Sequence, residues 1–384
     1  MVGGAVRASA ATSAGEPPRL ADLTPEMRAR LDDIRERAGR HVAEFLPRAG
    51  GAEVVAQFVG PAHWSHNGAF YEPTIAAPAW RLLAREGKRW RASLAILLLE
   101  AFGVPDDRYE REVALIAEFL HTASLIVDDI EDGSALRRGT PAVHTVFGVD
   151  VALNAANAMY FLPLLSIGQN PHLSLAQREE IYRTLIAYFV RGHLGQANDI
   201  YFSTAMSPER LEGWLTPEMA GEILQMYAGK TSAWPMGLTE AAAIMAEAPA
   251  PLREACVAFS REFGVVFQIM DDVLGMTGMP GRTKTPGEDI ITGKLTYLTH
   301  RALMRLEGDA RRRLIEILGA RLAADDPVAL EEAMALVDAS GAVESCRAEA
   351  WDRFAAAWGR VTADLPASPA RTLIGALCTD LLAA

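Results

Sequence analysis

The sequence predicts an all-α protein, and three observations support this. Apolar or small residues recur at three- and four-residue steps, as in segment 111–132, where Val113, Ile116, Leu120 and Ser124 would share one helix face. Alanine, leucine, glutamate and arginine, which are good helix formers, dominate the composition. No series of alternating strands bounded by turn pairs appears. The chain is therefore expected to be almost entirely helical.

Ten helices are predicted between turn-rich segments such as GVPDD, QNPH and EAPAP. Their expected ranges are 24–48, 76–102, 109–132, 151–167, 176–202, 217–246, 250–275, 295–318, 328–340 and 343–362. Residues 1–21 are predicted to be a disordered N-terminal tail, and residues 22–72 a helical N-terminal extension. No linker divides residues 73–384, which we treat as one domain.

Composition excludes several classes of protein. The chain has 384 residues, of which 50% are hydrophobic and 22% charged, and this rules out collagen-like and wholly disordered proteins. The 37 basic residues are outnumbered by 49 acidic ones, giving a net charge of -12. Such a field repels a phosphate backbone, so nucleic acid is not an expected partner.

The location of the protein is inferred from its cysteines and apolar runs. Cys256, Cys346 and Cys378 are far apart and show neither disulfide nor zinc-site spacing, which favours a reducing cytoplasm. No run reaches the eighteen or so apolar residues of a membrane span. An organelle transit peptide at the N-terminus is the weaker alternative.

The sharpest signal for function is the acidic run Asp128-Asp129-Ile130-Glu131-Asp132, which ends a mostly apolar predicted helix. Asp128 and Asp132 are four residues apart, so they share one helix face about 6 Å apart along the axis. The helix dipole is already negative at this end, so these acids need a compensating cation. Mg²⁺ prefers such hard oxygen ligands. Taken alone, the run could also be a solvated acidic helix end.

A second acidic pair, Asp271-Asp272, follows the apolar run FGVVFQIM in the same arrangement. The position four residues after Asp271 is Gly275, so this motif lacks a third acid. Two acidic helix ends that face each other would form a shared cation site. Two unrelated acidic helix ends are the alternative.

Basic residues are spaced around both acidic motifs. In an acidic chain, cations beside acid-rich helix ends indicate bound polyanions, although each one singly could be a solvated surface charge. The residues concerned are Lys88, Arg91, Arg137, Arg138, Lys230, Lys284 and Lys294.

This ordered set of motifs resembles the trans-isoprenyl diphosphate synthases over roughly residues 71–362. The runs HTASLIVDDIEDGSALRRGTPAVHTVFG, LNAANAMYF, LGQANDIYF and GEDIITGKLTY are most similar to geranylgeranyl diphosphate synthases of the eukaryotic kind. The resemblance implies an isoprenoid synthase-type helical bundle around a deep central hydrophobic cavity, and a homodimer. It implies that an allylic diphosphate ionises, that the alkene of isopentenyl diphosphate attacks the cation, and that a proton leaves.

The resemblance also implies roles for individual residues around the allylic diphosphate. Up to three Mg²⁺ would bind there, two on Asp128 and Asp132 and one on Asp271. Supporting metal contacts would come from Asp129, Asp272 and Asp289. The leaving diphosphate would be held by Arg137, Lys230, Lys284 and Lys294. Thr231 and Gln268 would line the carbocation.

The second substrate, isopentenyl diphosphate, would by resemblance be held by Lys88, Arg91, His121 and Arg138. His121 lies seven residues before Asp128, two helical turns back and on the same face. A histidine on an apolar helix is often a satisfied core residue, but this spacing favours a functional role.

Product length should depend on the residues beneath the first acidic motif. Ala123 and Ser124 are small and lie one turn below Asp128, so the upper tunnel is expected to be open. The resemblance places the floor at Tyr160, Phe161 and His193, which favours a product of twenty carbons. Core packing is the alternative role for these three residues.

Two other functions fit parts of the pattern. A class I terpene cyclase on the same fold would use the same metal-triggered ionisation, but it would not need Lys88, Arg91, His121 and Arg138 together. A non-catalytic subunit of a heteromeric synthase could lack one or both acidic motifs, whereas this chain has both.

Overall fold

The computed structural model describes residues 17–84, 89–104, 106–277 and 286–383. Within these ranges the chain forms eighteen α-helices and one short hairpin. Lys88, Lys284 and most of the predicted tail lie outside the described residues. The helices are α1 Pro25–Phe45, α2 Ala52–Val59, α3 Ala77–Leu83, α4 Trp90–Ala101, α5 Glu110–Glu131, α6 Val143–Phe147, α7 Val149–Gln169, α8 Leu175–Thr204, α9 Pro208–Gly213, α10 Pro217–Lys230, α11 Ala233–Met245, α12 Ala250–Thr277, α13 Glu288–Ile291, α14 Tyr297–Arg305, α15 Gly308–Gly319, α16 Pro327–Ala339, α17 Ala342–Asp364 and α18 Pro369–Ala383.

The expected all-α architecture is confirmed. Helix α5 packs against α4 and α7 on one side of the molecule, while α8 packs against α10 and α11 on the other. Helix α12 packs between α11 and α17, and the C-terminal α18 covers α4. The strands β1 Leu136–Arg137 and β2 Thr140–Pro141 form an antiparallel hairpin after α5. This arrangement leaves a deep space between α5, α8, α11 and α12.

Three of the predicted helices are each divided in two. Segments 76–102, 217–246 and 295–318 contain α3 and α4, α10 and α11, and α14 and α15 respectively. The break at 231–232 has a clear cause, because Pro235 has no N–H and its ring would clash with the carbonyl of Thr231. Helix α18 was not predicted from the sequence, although residues 373–378 of it are fully enclosed.

The N-terminal extension is part of the same core. Thr24 caps α1 by accepting a hydrogen bond from the Met27 N–H, and α1 buries Leu31, Ile34, Ala38 and Val42 against α4 and α5. Arg37 of α1 forms an ion pair with the buried Glu110 at the start of α5. The extension therefore supports the helix whose other end carries the first acidic motif.

Helix α7 is the one helix of the described ranges whose length and apolar composition would allow it to cross a membrane. Half of its most apolar eighteen-residue window is buried inside the fold. Its inner face packs against α5, as a core helix of a globular protein does.

Candidate active site

A cavity of about 910 Å³ lies between the helices, and both acidic helix ends open into it. Asp128 and Glu131 line it from the end of α5, and Asp271 and Asp272 line it from α12. Its deeper wall is apolar and includes Leu120, whereas its mouth is charged. The structure therefore brings together the two motifs that the sequence places 143 residues apart.

A glycine and a tight turn shape the end of α5. Gly133 has a φ of +63°, a left-handed conformation that terminates helices and leaves the acids on the last turn. Arg138 and Gly139 both have positive φ and form the two-residue loop of the hairpin that follows. The hairpin turns Arg137 back towards the helix, so its Nε donates a 2.7 Å hydrogen bond to Asp129 Oδ1.

Two lysines neutralise the outer carboxylates of the first motif. Lys230 Nζ lies 3.2 Å from Asp128 Oδ1 and 2.6 Å from Asp199 Oδ2. Lys294 Nζ lies 2.6 Å from Asp132 Oδ2. Burial by itself would raise the pKa of Asp128, but the nearby cations outweigh burial and hold this pKa below its ordinary value. Asp128 is therefore ionised at neutral pH.

The same balance keeps both lysines charged. Burial opposes the charge on Lys230, but Asp128 and Asp199 outweigh burial and raise the pKa of Lys230. Burial and the repulsion from Lys230 oppose the charge on Lys294, and the surrounding carboxylates again raise its pKa. Two permanent cations thus stand beside the first acidic motif.

Lys230 reaches this position because α8 and α10 approach each other very closely. A Cβ added to Gly195 of α8 would lie 2.1 Å from the Lys230 backbone nitrogen, which no real side chain permits. Gly229 of α10 faces Gly195 in the same contact, where a Cβ on Gly229 would lie 3.0 Å from the Gly195 Cα. The pair of glycines therefore fixes the distance at which the Lys230 side chain meets the carboxylates.

The second acidic motif lies on α12, which continues beyond it to Thr277, and has a different environment. The Tyr227 hydroxyl donates a hydrogen bond to Asp272 Oδ2, and Gln268 Nε2 donates one of 3.2 Å to Asp272 Oδ1. The Thr231 hydroxyl in turn donates a 2.8 Å hydrogen bond to Gln268 Oε1. Burial, followed by repulsion from Asp289, raises the pKa of Asp272 well above its usual range.

Asp289 lies close to Gly275, the position at which the second motif lacks a third acid. A Cβ on Gly275 would lie 3.5 Å from Asp289 Oδ2. The Gly287 N–H donates to the Gly275 carbonyl oxygen at 2.9 Å, which holds the segment that carries Asp289 against α12. Asp271, Asp272 and Asp289 all line the cavity. A third carboxylate is thus present here, supplied from a different part of the chain.

A cationic pocket lies beside the acidic ends. Arg91, His121 and Arg138 line the cavity together, and the Arg91 guanidinium stacks 4.1 Å above the Trp90 ring. Burial, reinforced by Arg91 and Arg138, lowers the pKa of His121 well below its ordinary value. The imidazole is therefore neutral at pH 7 and adds a hydrogen-bonding group to two fixed positive charges. This is the chemistry of an anion site.

The predicted chain-length residues are divided between the cavity and the surface. Ser124, Tyr160 and His193 line the cavity, and Ala123 is fully buried beside it. The rings of Tyr160 and His193 lie 5.3 Å apart. Phe161, in contrast, is 65% exposed on the outer side of α7 and does not reach the cavity in this structure.

The residues at the mouth fit a metal that is held jointly with a substrate. No three His, Cys, Asp or Glu of the described ranges form a ready-made ligand cluster. The carboxylates approach from two helix ends instead, and Asp129 Oδ2 is buried without a hydrogen-bond partner. Mg²⁺ commonly binds one or two carboxylates together with substrate phosphate, so this donor set suits it.

Some residues of the site were not singled out from the sequence. Gln196 Nε2 donates hydrogen bonds to Asp128 Oδ1 at 3.1 Å and to Glu131 Oε2 at 2.7 Å, and Asp199 holds Lys230. Gln196 and Asp199 follow Gly192 and Gly195 on one face of α8. Small and polar residues at this helical spacing are the signal that would have found them.

The sequence matches the polyprenyl synthetase family over residues 72–337. A short chain isoprenyl diphosphate synthase of Methanothermobacter thermautotrophicus is 33% identical over 280 residues, which cover 73% of this chain and 81% of the relative. A geranylgeranyl pyrophosphate synthase of Macrophomina phaseolina is 30% identical over 282 residues, covering 73% of this chain and 80% of the relative.

Solved structures share the fold. A geranylgeranyl pyrophosphate synthase from Corynebacterium glutamicum, complexed with isoprenyl diphosphate and magnesium, aligns with a TM-score of 0.76 at 22% identity, covering 92% of this chain and 99% of that one. The geranylgeranyl pyrophosphate synthetase from Pyrococcus horikoshii aligns with a TM-score of 0.75 at 22% identity, covering 93% and 98%.

Proposed function

This chain belongs to the polyprenyl synthetase family as a trans-isoprenyl diphosphate synthase, and we propose that its product is geranylgeranyl diphosphate, made with Mg²⁺. The reaction joins an allylic diphosphate to isopentenyl diphosphate. The observation that supports it best is the single cavity with two acidic helix ends and a cationic pocket at its mouth and apolar walls below. A diphosphate head and a prenyl chain require these two environments side by side.

The residues at the mouth would act on the allylic diphosphate. Mg²⁺ bound there would supply Lewis acidity to the leaving group. Asp128 and Asp132 on α5 and Asp271 on α12 are the carboxylates that would hold it, with Asp129, Asp272 and Asp289 in support. Lys230 and Lys294 carry fixed positive charges at the same place. They stabilise the charge that builds on the diphosphate as the carbon–oxygen bond breaks.

The cationic pocket would bind isopentenyl diphosphate, whose own diphosphate is not lost. Arg91 and Arg138 neutralise it without a metal, and His121 offers a hydrogen bond. Thr231 and Gln268, whose side chains hydrogen-bond to each other, would present oxygen dipoles towards the carbocation, and their neutral hydroxyl and amide groups are weak nucleophiles. The released diphosphate is the base that accepts the proton.

One assay separates this proposal from its alternatives. Purified protein is incubated with Mg²⁺ and farnesyl diphosphate, with and without isopentenyl diphosphate. A twenty-carbon diphosphate that forms only with both substrates supports the proposal. A hydrocarbon from farnesyl diphosphate alone would indicate a terpene cyclase. No product under either condition would indicate a non-catalytic subunit.

The position of the aromatic residues sharpens the product-length proposal. Tyr160 lines the cavity with only 8% of its surface exposed, whereas its neighbour Phe161 faces outwards. We expect Tyr160→Ala to shift the product beyond twenty carbons. Phe161→Ala should leave the product length unchanged, because this ring does not line the cavity of its own chain. Chromatography of the dephosphorylated products measures both. A Tyr160→Ala product that stays at twenty carbons would remove Tyr160 from the floor.

A second copy of the chain is the proposed partner. Helices α7 and α8 present an apolar face with four-residue spacing, made of Val149, Leu153, Phe161, Leu165, Ile186, Val190 and Leu194. Exposed apolar patches of this kind mark protein interfaces. A homodimer should form in solution, and Leu194→Asp should convert it to a monomer in analytical ultracentrifugation. Wild-type protein that sediments as a monomer would contradict this.

The cytoplasm is the proposed location. Cys256, Cys346 and Cys378 are free and buried, and burial raises the pKa of the Cys256 and Cys346 thiols to about 12. Such thiols are unreactive core residues that do not require an oxidising compartment.

A further inference from the structure

The indole ring of Trp234 forms part of the cavity wall, and the proposed mechanism gives it no role. It lies on the first turn of α11, three residues after Thr231, and its side chain lines the cavity. Its ring stacks on Tyr160 of α7, with centroids 6.1 Å apart and planes 28° apart. It also contacts His193 edge-on at 6.2 Å. Trp234 therefore links α11 to α7 and α8 at the cavity wall.

The position of this ring is fixed from behind by a glycine. A Cβ on Gly192 of α8 would lie 2.7 Å from Trp234 Cζ2 and 3.0 Å from Cη2. Glycine at 192 lets the indole approach α8 this closely without a clash. The ring cannot move towards α8, and a larger residue at 192 would force it to shift.

The wall that Trp234 completes is thin. The cavity-lining Tyr160 and His193 are followed by Phe161 and Leu194, which are 65% and 66% exposed on the outer surface. Phe189, which does not line the cavity, packs against Tyr160 at 6.4 Å and Trp234 at 6.0 Å, so a thin layer of rings separates the cavity from the apolar face of α7 and α8. A prenyl chain that passed this layer would leave the cavity between those helices.

We propose that Trp234 is the specificity-determining residue that stops the growing prenyl chain, acting as a barrier stacked on Tyr160 and supported by Gly192. This inference rests on the proposed synthase activity. It concerns where elongation ends and not whether it occurs. Indole is rigid and bulky, so a chain that reaches it cannot extend without displacing the ring stack.

The experiment compares product lengths with farnesyl diphosphate, isopentenyl diphosphate and Mg²⁺. Trp234→Ala should raise the ratio of products longer than twenty carbons to the twenty-carbon product by about tenfold or more. Trp234→Phe keeps an aromatic ring and should give a smaller rise. Trp351→Ala removes a tryptophan of α17 outside the cavity lining and should leave the ratio unchanged.

Gly192→Ala gives an independent test that leaves Trp234 in place. The added methyl pushes the indole into the cavity, so the ratio of fifteen- to twenty-carbon product from geranyl diphosphate should rise. In the Trp234→Ala background the same substitution should have no effect on this ratio, because the ring it displaces is gone. Thermal unfolding confirms that each variant is folded.

The outcomes separate the two proposals. Wild-type protein that does not elongate any allylic diphosphate overturns the synthase proposal itself. An active wild type whose Trp234→Ala and Trp234→Phe variants, folded and active, both keep the wild-type product overturns only the role of Trp234. A Gly192→Ala effect that persists without Trp234 would also overturn it.

Discussion

The two acidic helix ends face one cavity but are neutralised in different ways. At the end of α5, Arg137, Lys230 and Lys294 contact the carboxylates directly. At the end of α12, Asp272 accepts hydrogen bonds from the neutral groups of Tyr227 and Gln268. The first end therefore carries its counter-charges within the fold.

This difference indicates that the two acidic motifs have different functions. The first end combines acids with fixed cations, so it can hold a metal and a diphosphate at the same time. The second end gathers three carboxylates, Asp271, Asp272 and Asp289, on one wall of the cavity. This wall should gain from an added cation, because opposite charge relieves the repulsion that Asp271 and Asp289 exert on Asp272. We expect the first end to govern the rate of ionisation and the second to govern metal affinity.

The largest effect is expected at the first end. Asp128→Asn removes a carboxylate that the proposal assigns to the metal, and should lower kcat by about 10³-fold, since a metal ion supplies several kcal/mol to the transition state. Steady-state kinetics with saturating Mg²⁺ measures it. Asp309→Asn, at a side chain 94% exposed on α15, is the control and should change nothing. A kcat within tenfold of wild type would contradict the assignment.

At the second end, Tyr227→Phe tests the neutral partner of Asp272. Loss of the hydroxyl donor should weaken the apparent Mg²⁺ affinity by about 10- to 100-fold, as loss of a supporting hydrogen bond around a metal site does. The measurement is activity against Mg²⁺ concentration. Tyr201→Phe removes an exposed hydroxyl and is the matched control. If kcat at saturating Mg²⁺ fell while the affinity stayed constant, the division between the ends would be wrong.

Asp199 gives a finer test of the first end. Asp199→Asn leaves Lys230 with one carboxylate partner instead of two, so the ammonium group is held less firmly against Asp128. A fall in kcat of about tenfold is expected, because poorer orientation of the ammonium group should raise the activation free energy by about 1.4 kcal/mol. The Mg²⁺ affinity should change less than in Tyr227→Phe. The reverse order would show that Asp199 acts mainly through the metal.

The smallest effect concerns pH and the pocket of Arg91, His121 and Arg138, which has cations but no acidic helix end. Burial and these arginines keep the pKa of His121 below 6.5, so the unfolded chain binds a proton below pH 6.5 that the folded chain resists. The free energy of unfolding should therefore fall as pH drops below 6.5, by at most about 1.4 kcal/mol per pH unit from this residue.

Urea unfolding at pH 5.5 and 7.5 measures this contribution. His121→Asn should lose less stability than wild type between the two values. The exposed histidine His63 is the control, and His63→Asn should follow wild type. An unchanged pH dependence in His121→Asn would show that this imidazole is solvated.

The sequence predicted those residues of the site whose relative positions depend only on local helix geometry. The acids of α5 and α12 could be recognised because a helix of known pitch fixes which residues share a face. The residues that hold these acids in place could not be recognised from the sequence. Asp199 meets Lys230 only through the close contact of Gly195 and Gly229, which involves segments far apart in the chain.

The aromatic floor shows the same limit. Tyr160 and Phe161 are adjacent aromatic residues, yet one lines the cavity and the other faces outwards. Phe161 shares a helix face with the exposed Asn154 and Asn157, so the local pattern favours its outward side, but how far Tyr160 reaches into the cavity depends on how α7 is rotated against α5. Trp234 is likewise ordinary in sequence, and only its packing on Gly192 and Tyr160 gives it a place in the wall.

What the sequence by itself determined is the helical class, the two acidic motifs, the basic residues around them and the family. These follow from helical periodicity and from charges that are unfavourable without a bound ion. The tertiary structure decided which counter-charge meets which carboxylate, which ring lines the cavity and how the N-terminal extension supports α5. Those features depend on contacts between distant segments, and such contacts exist only once the helices are packed.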